Sequence, residues 1–226
     1  MYWDSTIIIL IPAIIFSLIA QGMVKSAFSK FSRVRNGRGF TGADAARAIL
    51  DSNGLSNVRI ERVSGELTDH YDPRANVIRL SDSVYDSDSV AAVGVAAHEA
   101  GHAVQYAEGY APIKLRNAII PVTQFGSSLS TPLVVLGIIF SWDFLITAGI
   151  LLFCAVVLFQ AVTLPVEFNA SGRALRILRD GNFMEDDELK GAKSVLTAAA
   201  LTYVAALVSA LLSLVRLLLL RNRNRR

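Results

Sequence analysis

The residues best suited to chemistry lie in one short segment, residues 98–102, whose sequence HEAGH has the pattern H-E-x-x-H. Residues four apart on a helix lie on one face, so the imidazoles of His98 and His102 would point to one place. That is the geometry of two zinc ligands. Glu99 lies beside them, where it can take a proton from a water molecule. The pattern predicts a zinc site with a glutamate general base.

A helix must carry this motif, and the flanking sequence predicts one. Residues 85–89 are rich in helix N-cap types, no proline occurs in residues 90–108, and Gly109 followed by Pro112 is typical of a helix end. A chance match on an alanine-rich core helix is the alternative. It is disfavoured because two of the chain's three histidines occur here at this spacing. The face of the two histidines also carries Ala91, Val95 and Gln105.

A catalytic zinc site needs a third protein ligand and an open fourth position. Glu167 begins a predicted helix just after an apolar hairpin that returns the chain to the side of the histidines, and we favour it as the third ligand. Its alternative role is that of a glutamate stabilised at a helix N-terminus. Four other acidic residues fall in a predicted polar loop, where solvent would surround them: Glu185, Asp186, Asp187 and Glu188.

His70 is the third histidine of the chain. One hypothesis is that His70, or Tyr71, donates a hydrogen bond to the oxyanion of a tetrahedral intermediate. The other is an ordinary turn histidine held by Asp69 or Asp72, and the sequence alone favours this second hypothesis.

The composition predicts a membrane protein, because 53% hydrophobic residues and a mean hydropathy of +0.45 exceed the values of ordinary soluble domains. The net charge of +3 comes from basic residues beside apolar segments. No aromatic–basic interleaving and no nucleic-acid motif occur in the sequence, so we expect a lipid bilayer and no nucleic acid as partner. Cys154 is the single cysteine, which excludes a disulfide within one chain.

Four apolar segments are long enough to span a bilayer. The first is interpreted as a retained anchor, because no basic start and no clear signal-peptide cleavage site accompany it, and Tyr2 and Trp3 suit a membrane interface. The second and third are joined by a short turn and form a helical hairpin that Pro165 is expected to close. The segments are Thr6–Val24, about Asn117–Phe140, Phe144–Leu164 and Ser194–Leu220.

Basic residues follow the first segment at once, from Lys25 to Arg38. The positive-inside rule therefore places the H-E-x-x-H segment in the cytoplasm. Four spans would then put the basic C-terminal tail outside, which the same rule disfavours; a last helix that does not span the membrane would remove this conflict. The second segment is polar in its first half. Either this half packs against protein or lines the site, or only residues from Leu133 onward are deeply buried in lipid.

The region before the motif predicts a small α+β domain. Thr41 caps a helix over Gly42–Asp51, Asn57–Val63 is a predicted strand, and Glu66–Tyr71 with Asn76–Leu80 form a predicted hairpin around the turn at 72–75. An exposed strand edge beside the motif could pair with an extended substrate peptide.

Three motifs in one order, LTDHYDPR, HEAGH and PVEFNAS, resemble the bacterial membrane-bound neutral zinc metallopeptidases of the YugP-like family over nearly the whole chain. A more distant similarity is to the HtpX and CAAX prenyl endopeptidase group, whose glutamate ligand lies in an E-x-x-A-D helix. By that resemblance Glu167 matches the glutamate and Ala170 the alanine. Ser171 occupies the position of an aspartate that braces a zinc-ligating histidine, and Asn169, Ser171 or Arg173 could substitute for it.

We therefore predict a mainly α membrane protein with about four transmembrane helices and a small α+β zincin-like catalytic domain with a short β-hairpin. It would be a multi-pass protein of the bacterial inner membrane, with its catalytic domain in the cytoplasm. The predicted divisions are an anchor (1–25), the catalytic domain (26–116), a transmembrane hairpin (117–165), the third-ligand helix with a polar loop (166–193), and an apolar helix with a basic tail (194–226).

The predicted function is that of a membrane-bound zinc-dependent endopeptidase with one Zn²⁺ per chain, acting on protein or peptide substrates; the sequence leaves the oligomeric state open. A site-2-type intramembrane protease is one alternative, but its distant aspartate ligand would have to be Asp143, which lies in a predicted turn. A non-catalytic zinc-containing membrane scaffold or chaperone is the other. Structural zinc, however, prefers four protein ligands, often cysteines.

Overall fold

A computed structural model of the chain describes residues 5–224, and the predicted interface positions of Tyr2 and Trp3 lie outside them. The described part is mainly helical, with four helices long and apolar enough to cross a membrane and one three-stranded sheet. A 3₁₀ turn at Ser5–Leu10 leads into the first helix. The elements are α1 (Ile11–Phe31), α2 (Gly42–Ser52), β1 (Arg59–Val63), β2 (His70–Asp72), β3 (Val77–Ser81), α3 (Asp82–Tyr85), α4 (Val90–Ala107), α5 (Ala111–Ile139), α6 (Asp143–Asp180) and α7 (Asp186–Asn224).

The chain divides into two compact units. The site unit comprises Gly22–Ala111 and Val166–Ala200, and the apolar-helix unit comprises Met1–Gln21, Pro112–Pro165 and Leu201–Arg226. The domain divisions expected from the sequence stay predictions.

Helix α2 begins where the sequence predicts. The Thr41 hydroxyl accepts from the backbone N–H of Asp44 while the Asp44 carboxylate accepts from the backbone N–H of Thr41, a reciprocal capping box. The apolar face of α2 packs against α4, and Ile49 and Leu50 are fully buried there. The burial of this face stabilises the layer on which the motif helix rests.

The sheet has the order β1-β3-β2, with β1 parallel and β2 antiparallel to β3. The predicted β2–β3 hairpin is confirmed, although β2 is shorter than expected. Its turn is held by Asp72, whose carboxylate accepts from the backbone N–H groups of Arg74 and Ala75. Strand β3 is central and mostly buried, whereas β1 and β2 form the two edges.

Helix α4 carries the H-E-x-x-H motif, as predicted. Ser89 caps its N-terminus by accepting from the backbone N–H of Ala92 at 3.2 Å, and Gly109 follows its end with a φ of 65°. That left-handed conformation is accessible to glycine at little cost, which explains the stop at this position.

Two local predictions were wrong. Helix α6 continues through Pro165 to Asp180 instead of closing there, because a proline removes one intrahelical hydrogen bond without preventing the following turns from being helical. The segment predicted as a polar loop is helical from Asp186, because acidic residues at 186–188 in the first turn of α7 are favoured by the helix dipole.

In the apolar-helix unit, α5 and α6 form the predicted hairpin through a short turn in which Ser141 has a φ of 56°. The two helices approach closely at Gly149, where an added Cβ would lie 2.7 Å from the carbonyl oxygen of Ser130. Arg221 forms an ion pair with Asp143 at 3.2 Å. The small buried cluster of this unit contains Val134, Ile146, Ile150 and Leu217.

Candidate metal centre

His98, His102 and Glu167 come together within the site unit. Each offers one ligand atom, and these three atoms all lie within 4.8 Å of one another. Glu167 Oε2 lies 3.3 Å from His98 Nε2 and 3.6 Å from His102 Nε2. His102 and Glu167 are buried, and His98 is largely so. The structure thus brings together the three residues chosen from the sequence as metal ligands.

Small residues allow α4 and α6 to approach at this point. A Cβ at Gly101 would lie 2.9 Å from the carbonyl oxygen of Ala170, closer than side-chain carbons normally come to a backbone oxygen. Gly101 lies between the two histidines of the motif, and Ala170 lies one turn after Glu167. The glycine therefore sets the distance between the helix with two candidate ligands and the helix with the third.

The outward nitrogen of each histidine contacts a neutral side chain. His98 Nδ1 lies 3.1 Å from Ser171 Oγ, and His102 Nδ1 lies 3.0 Å from Gln105 Oε1. Of the three residues considered as replacements for the bracing aspartate, Ser171 is the one with a hydrogen bond to His98. Both Nε2 atoms are left facing Glu167. Partners of this kind fix the orientation of metal-ligating imidazoles.

Glu99 is buried beside the candidate ligands, and its Oε2 accepts a hydrogen bond from the backbone N–H of Tyr71 at 2.9 Å. This contact ties the edge strand β2 to α4. Burial by itself lowers the pKa of His102, but the nearby carboxylates of Glu167 and Glu99 outweigh it and raise that pKa. The charge of Glu99 therefore acts on the same imidazole.

His70 is exposed on β2, and its partners differ from those expected. Its Nδ1 lies 2.8 Å from the carbonyl oxygen of Thr68, and its Nε2 lies 3.4 Å from Arg79 Nη1. Asp69 accepts from Ser81 instead, and Asp72 pairs with Arg79. The oxyanion role of His70 stays a prediction.

Tyr71, the alternative oxyanion donor, has a hydroxyl that contacts Asn76 Oδ1 at 3.2 Å. Burial raises the pKa of this phenol, so it stays protonated at neutral pH and donates to that amide oxygen. The part of Tyr71 that contacts the candidate centre is its backbone N–H, a group that no pattern in the sequence singles out.

Two of the other acidic residues considered as ligands have partners elsewhere. Glu188 accepts from the backbone N–H of Gly37 at 2.6 Å, and Asp187 pairs with Lys190 at 2.7 Å. Among residues 5–224, His98, His102 and Glu167 form the one group of His, Cys, Asp or Glu side chains whose ligand atoms converge in this way.

Gln105 contributes to the candidate metal centre, although the sequence predicted no role for it. The sequence placed it on the histidine face, and its position three residues after His102 is the signal that could have identified it. It is fully buried, and its amide nitrogen donates to the carbonyl oxygen of Val166 and to Asn169 Oδ1, both at 2.9 Å.

The donor set fits a catalytic rather than a structural zinc site. Two imidazole nitrogens and one carboxylate are the ligands of one common class of hydrolytic zinc centre, and three protein ligands leave a fourth position open. The engaged Nδ1 atoms and the convergent Nε2 atoms are the arrangement expected of zinc-ligating histidines.

Comparison with known proteins also indicates a zinc enzyme family. The family model described as "Putative neutral zinc metallopeptidase" matches residues 6–222, and the chain therefore belongs to that family. The chain is 48% identical over 214 residues to the "Putative membrane protease YugP" of Bacillus subtilis (strain 168), covering 95% of each chain. No solved structure gave a significant match. The relative and the four apolar helices together indicate a membrane protein.

Proposed function

We propose that this protein is a membrane-bound zinc-dependent endopeptidase that hydrolyses internal peptide bonds. The observation that carries the proposal is the convergence of His98 Nε2, His102 Nε2 and Glu167 Oε2 within one small space. These three atoms would hold the zinc ion. Family membership supports the same metal and the same class of reaction.

Zinc bound there would polarise the scissile carbonyl and acidify a water molecule, lowering its pKa toward about 7. Glu99 Oε2 is held by the backbone N–H of Tyr71, and its carboxylate takes the proton of the attacking water. Glu99 then passes that proton to the leaving amine. Because one carboxylate oxygen is fixed by β2, the direction of the other is restricted, which favours repeated proton transfer along one path.

The substrate we propose is an extended polypeptide segment of a membrane-associated or misfolded protein. Strand β2 is an edge of the sheet and lies against α4, so a peptide could approach the centre along it. The N–H of Tyr71 is already bound to Glu99, so such a peptide would use other backbone groups of this edge.

We also propose a multi-pass arrangement with the site unit in the cytoplasm of a bacterial cell. Support comes from the four helices of sufficient length and apolarity and from the basic residues at and after the end of α1, among them Lys30, Arg33 and Arg35. The side on which the basic C-terminal tail lies is left open by this rule.

The deciding experiment measures hydrolysis of an unfolded protein substrate by the purified full chain in detergent, before and after removal of zinc with a chelator. Glu99→Gln should abolish cleavage while zinc content stays at one per chain. Glu66→Gln makes the same chemical change at an exposed residue and should leave cleavage unchanged. Cleavage by Glu99→Gln at the wild-type rate would contradict the proposal and favour a non-catalytic zinc scaffold.

A further inference from the structure

Gln105 connects the two helices of the candidate centre through a single buried amide. Its Oε1 lies 3.0 Å from His102 Nδ1, and its Nε2 donates to the carbonyl oxygen of Val166 and to Asn169 Oδ1. Val166 directly precedes Glu167, so this amide links the second histidine to the turn that carries the third candidate ligand. The mechanism proposed above does not use Gln105.

The hydrogen-bond partners determine which way the Gln105 amide points. A backbone carbonyl can only accept, so the NH₂ group must face Val166 and the oxygen must face His102. That oxygen can also only accept, so His102 Nδ1 must carry a hydrogen. A neutral imidazole carries a single N–H, which leaves His102 Nε2 with its lone pair.

The same direction is imposed from the other end of the network. Arg173 can only donate, and its Nε lies 2.7 Å from Asn169 Oδ1, so the oxygen of Asn169 faces both Arg173 and Gln105. Arg173 is itself held by Glu108 at 2.7 Å. Asn169 Oδ1 therefore accepts from both Arg173 and Gln105, and Gln105 Oε1 in turn accepts from His102 Nδ1.

The carboxylate of Glu167 favours the other tautomer of His102. Its carboxylate oxygen faces His102 Nε2 and would attract a hydrogen to that nitrogen, but it lies 3.6 Å away, beyond normal hydrogen-bond distance. Gln105 Oε1 lies at 3.0 Å from Nδ1 and has the better geometry. His98 differs, because the Ser171 hydroxyl at its Nδ1 can either donate or accept and so selects no tautomer.

We propose that Gln105 is a positioning residue that, with Asn169 and Arg173, holds His102 as the Nδ1–H tautomer and so keeps its Nε2 lone pair available to a metal ion. The consequence for zinc affinity rests on the proposed function, whereas the tautomer does not. If the Nε2 lone pair is available in only a fraction of the molecules, the apparent affinity for the metal is lowered in proportion to that fraction. Loss of such an outer partner typically weakens metal binding by about 10- to 100-fold.

The tautomer can be read directly, because the chain has only three histidines. Full-length protein labelled with ¹⁵N-histidine is freed of metal in detergent and brought to a pH at which the rings are neutral. Two-bond ¹H–¹⁵N correlations then show which nitrogen carries the hydrogen, with His70→Asn and His98→Asn used for assignment. In wild type we expect the hydrogen of His102 on Nδ1. A hydrogen on Nε2 in wild type overturns the proposal without any variant.

Gln105→Met removes the acceptor while keeping an unbranched side chain of similar length. We expect the hydrogen of His102 to move to Nε2, facing Glu167, and the zinc dissociation constant from chelator competition to rise by about 10- to 100-fold. Asn169→Asp retains an oxygen acceptor for both Arg173 and Gln105, so tautomer and zinc affinity should match wild type. Asn169→Leu removes that acceptor and should weaken zinc binding.

Circular dichroism melting shows whether Gln105→Met folds. If it does not, Asn169→Leu takes its place in the comparison. Wild-type tautomer and zinc affinity in folded Gln105→Met would overturn the proposal. A tautomer change in Asn169→Asp would do so too, because that substitution leaves the direction of donation intact. Wild type with the Nδ1–H tautomer but without zinc or hydrolysis would contradict the proposed function alone, since the tautomer is measured without metal.

Discussion

The two units of this chain use apolar residues in opposite ways. In the site unit, Ile49, Leu50 and Ile78 are fully buried in one core beneath the motif helix. In the apolar-helix unit, large apolar side chains such as Leu18, Phe144 and Leu151 are 62%, 80% and 65% exposed. All but four of the exposed large apolar residues that the structure describes lie in that second unit, the exceptions being Met23, Val34, Leu67 and Phe168.

The difference is the one expected of two units in different solvents, one in water and the other in the hydrocarbon of a membrane. A water-facing unit buries its apolar side chains because their exposure costs about 25 cal/mol per Å². A unit surrounded by hydrocarbon has no such cost and exposes them at its surface. The candidate zinc ligands lie in the first kind of unit, where charged and hydrogen-bonding groups can be supported. Matched substitutions in the two units test whether their surroundings differ in this way.

The largest expected effect concerns the two acidic residues proposed as alternative zinc ligands. Glu167→Ala should abolish zinc binding, because only two protein ligands remain. Asp143→Ala, in the apolar-helix unit, should retain one zinc per chain, because Asp143 pairs with Arg221. Elemental analysis of the purified proteins measures both. Zinc loss in Asp143→Ala and retention in Glu167→Ala would favour the site-2-type protease instead.

Truncation of one leucine in each unit compares a buried apolar side chain with an exposed one. Leu50→Ala should lower the free energy of unfolding by about 2–5 kcal/mol, because Leu50 is fully buried and leaves a cavity. Leu151→Ala should change it by no more than about 0.5 kcal/mol, because that side chain is 65% exposed. Denaturation in mixed micelles, followed by circular dichroism, measures both. Equal destabilisation would mean that Leu151 is covered by a partner.

Introducing a lysine at two exposed leucines distinguishes a membrane surface from an aqueous one. Leu18→Lys should reduce the membrane-integrated fraction, because lysine near the centre of a span costs about 2.5–3.5 kcal/mol. Leu67→Lys, at an exposed leucine of the site unit, should leave that fraction unchanged. Alkaline extraction of membranes followed by immunoblotting gives the fraction. Full integration of Leu18→Lys would argue against α1 as a span.

The smallest effect concerns glycines at close helix contacts. Gly101→Ala places a Cβ 2.9 Å from the carbonyl oxygen of Ala170, and the resulting shift of α4 should cost about 1–3 kcal/mol and weaken zinc binding. Gly149→Ala, within the apolar-helix unit, places a Cβ 2.7 Å from the carbonyl oxygen of Ser130 and should lower stability without altering zinc affinity. Gly172→Ala meets nothing within 4 Å and serves as the control. Zinc competition and thermal melting separate the outcomes.

Much of the local structure could be predicted because it depends on short-range rules. The capping box at Thr41, the turn at Asp72 and the N-cap at Ser89 involve residues within three positions of each other. The same short-range rules fail at Pro165: proline disfavours a helix locally, but α6 continues through it. The Nδ1 partner Ser171 lies 73 residues from His98, beyond the reach of any local rule.

The sequence by itself determined the motif, the apolar segments and the identity of the third candidate ligand, because spacing on a helix and runs of hydrophobic residues carry that information directly. Tertiary structure alone decided the parallel pairing of β1 with β3, the contact of Tyr71 with Glu99, and the network from Arg173 to His102. These depend on where two helices and a strand edge meet. The physical reason is that hydrogen bonds between distant segments form only after packing has fixed their distances.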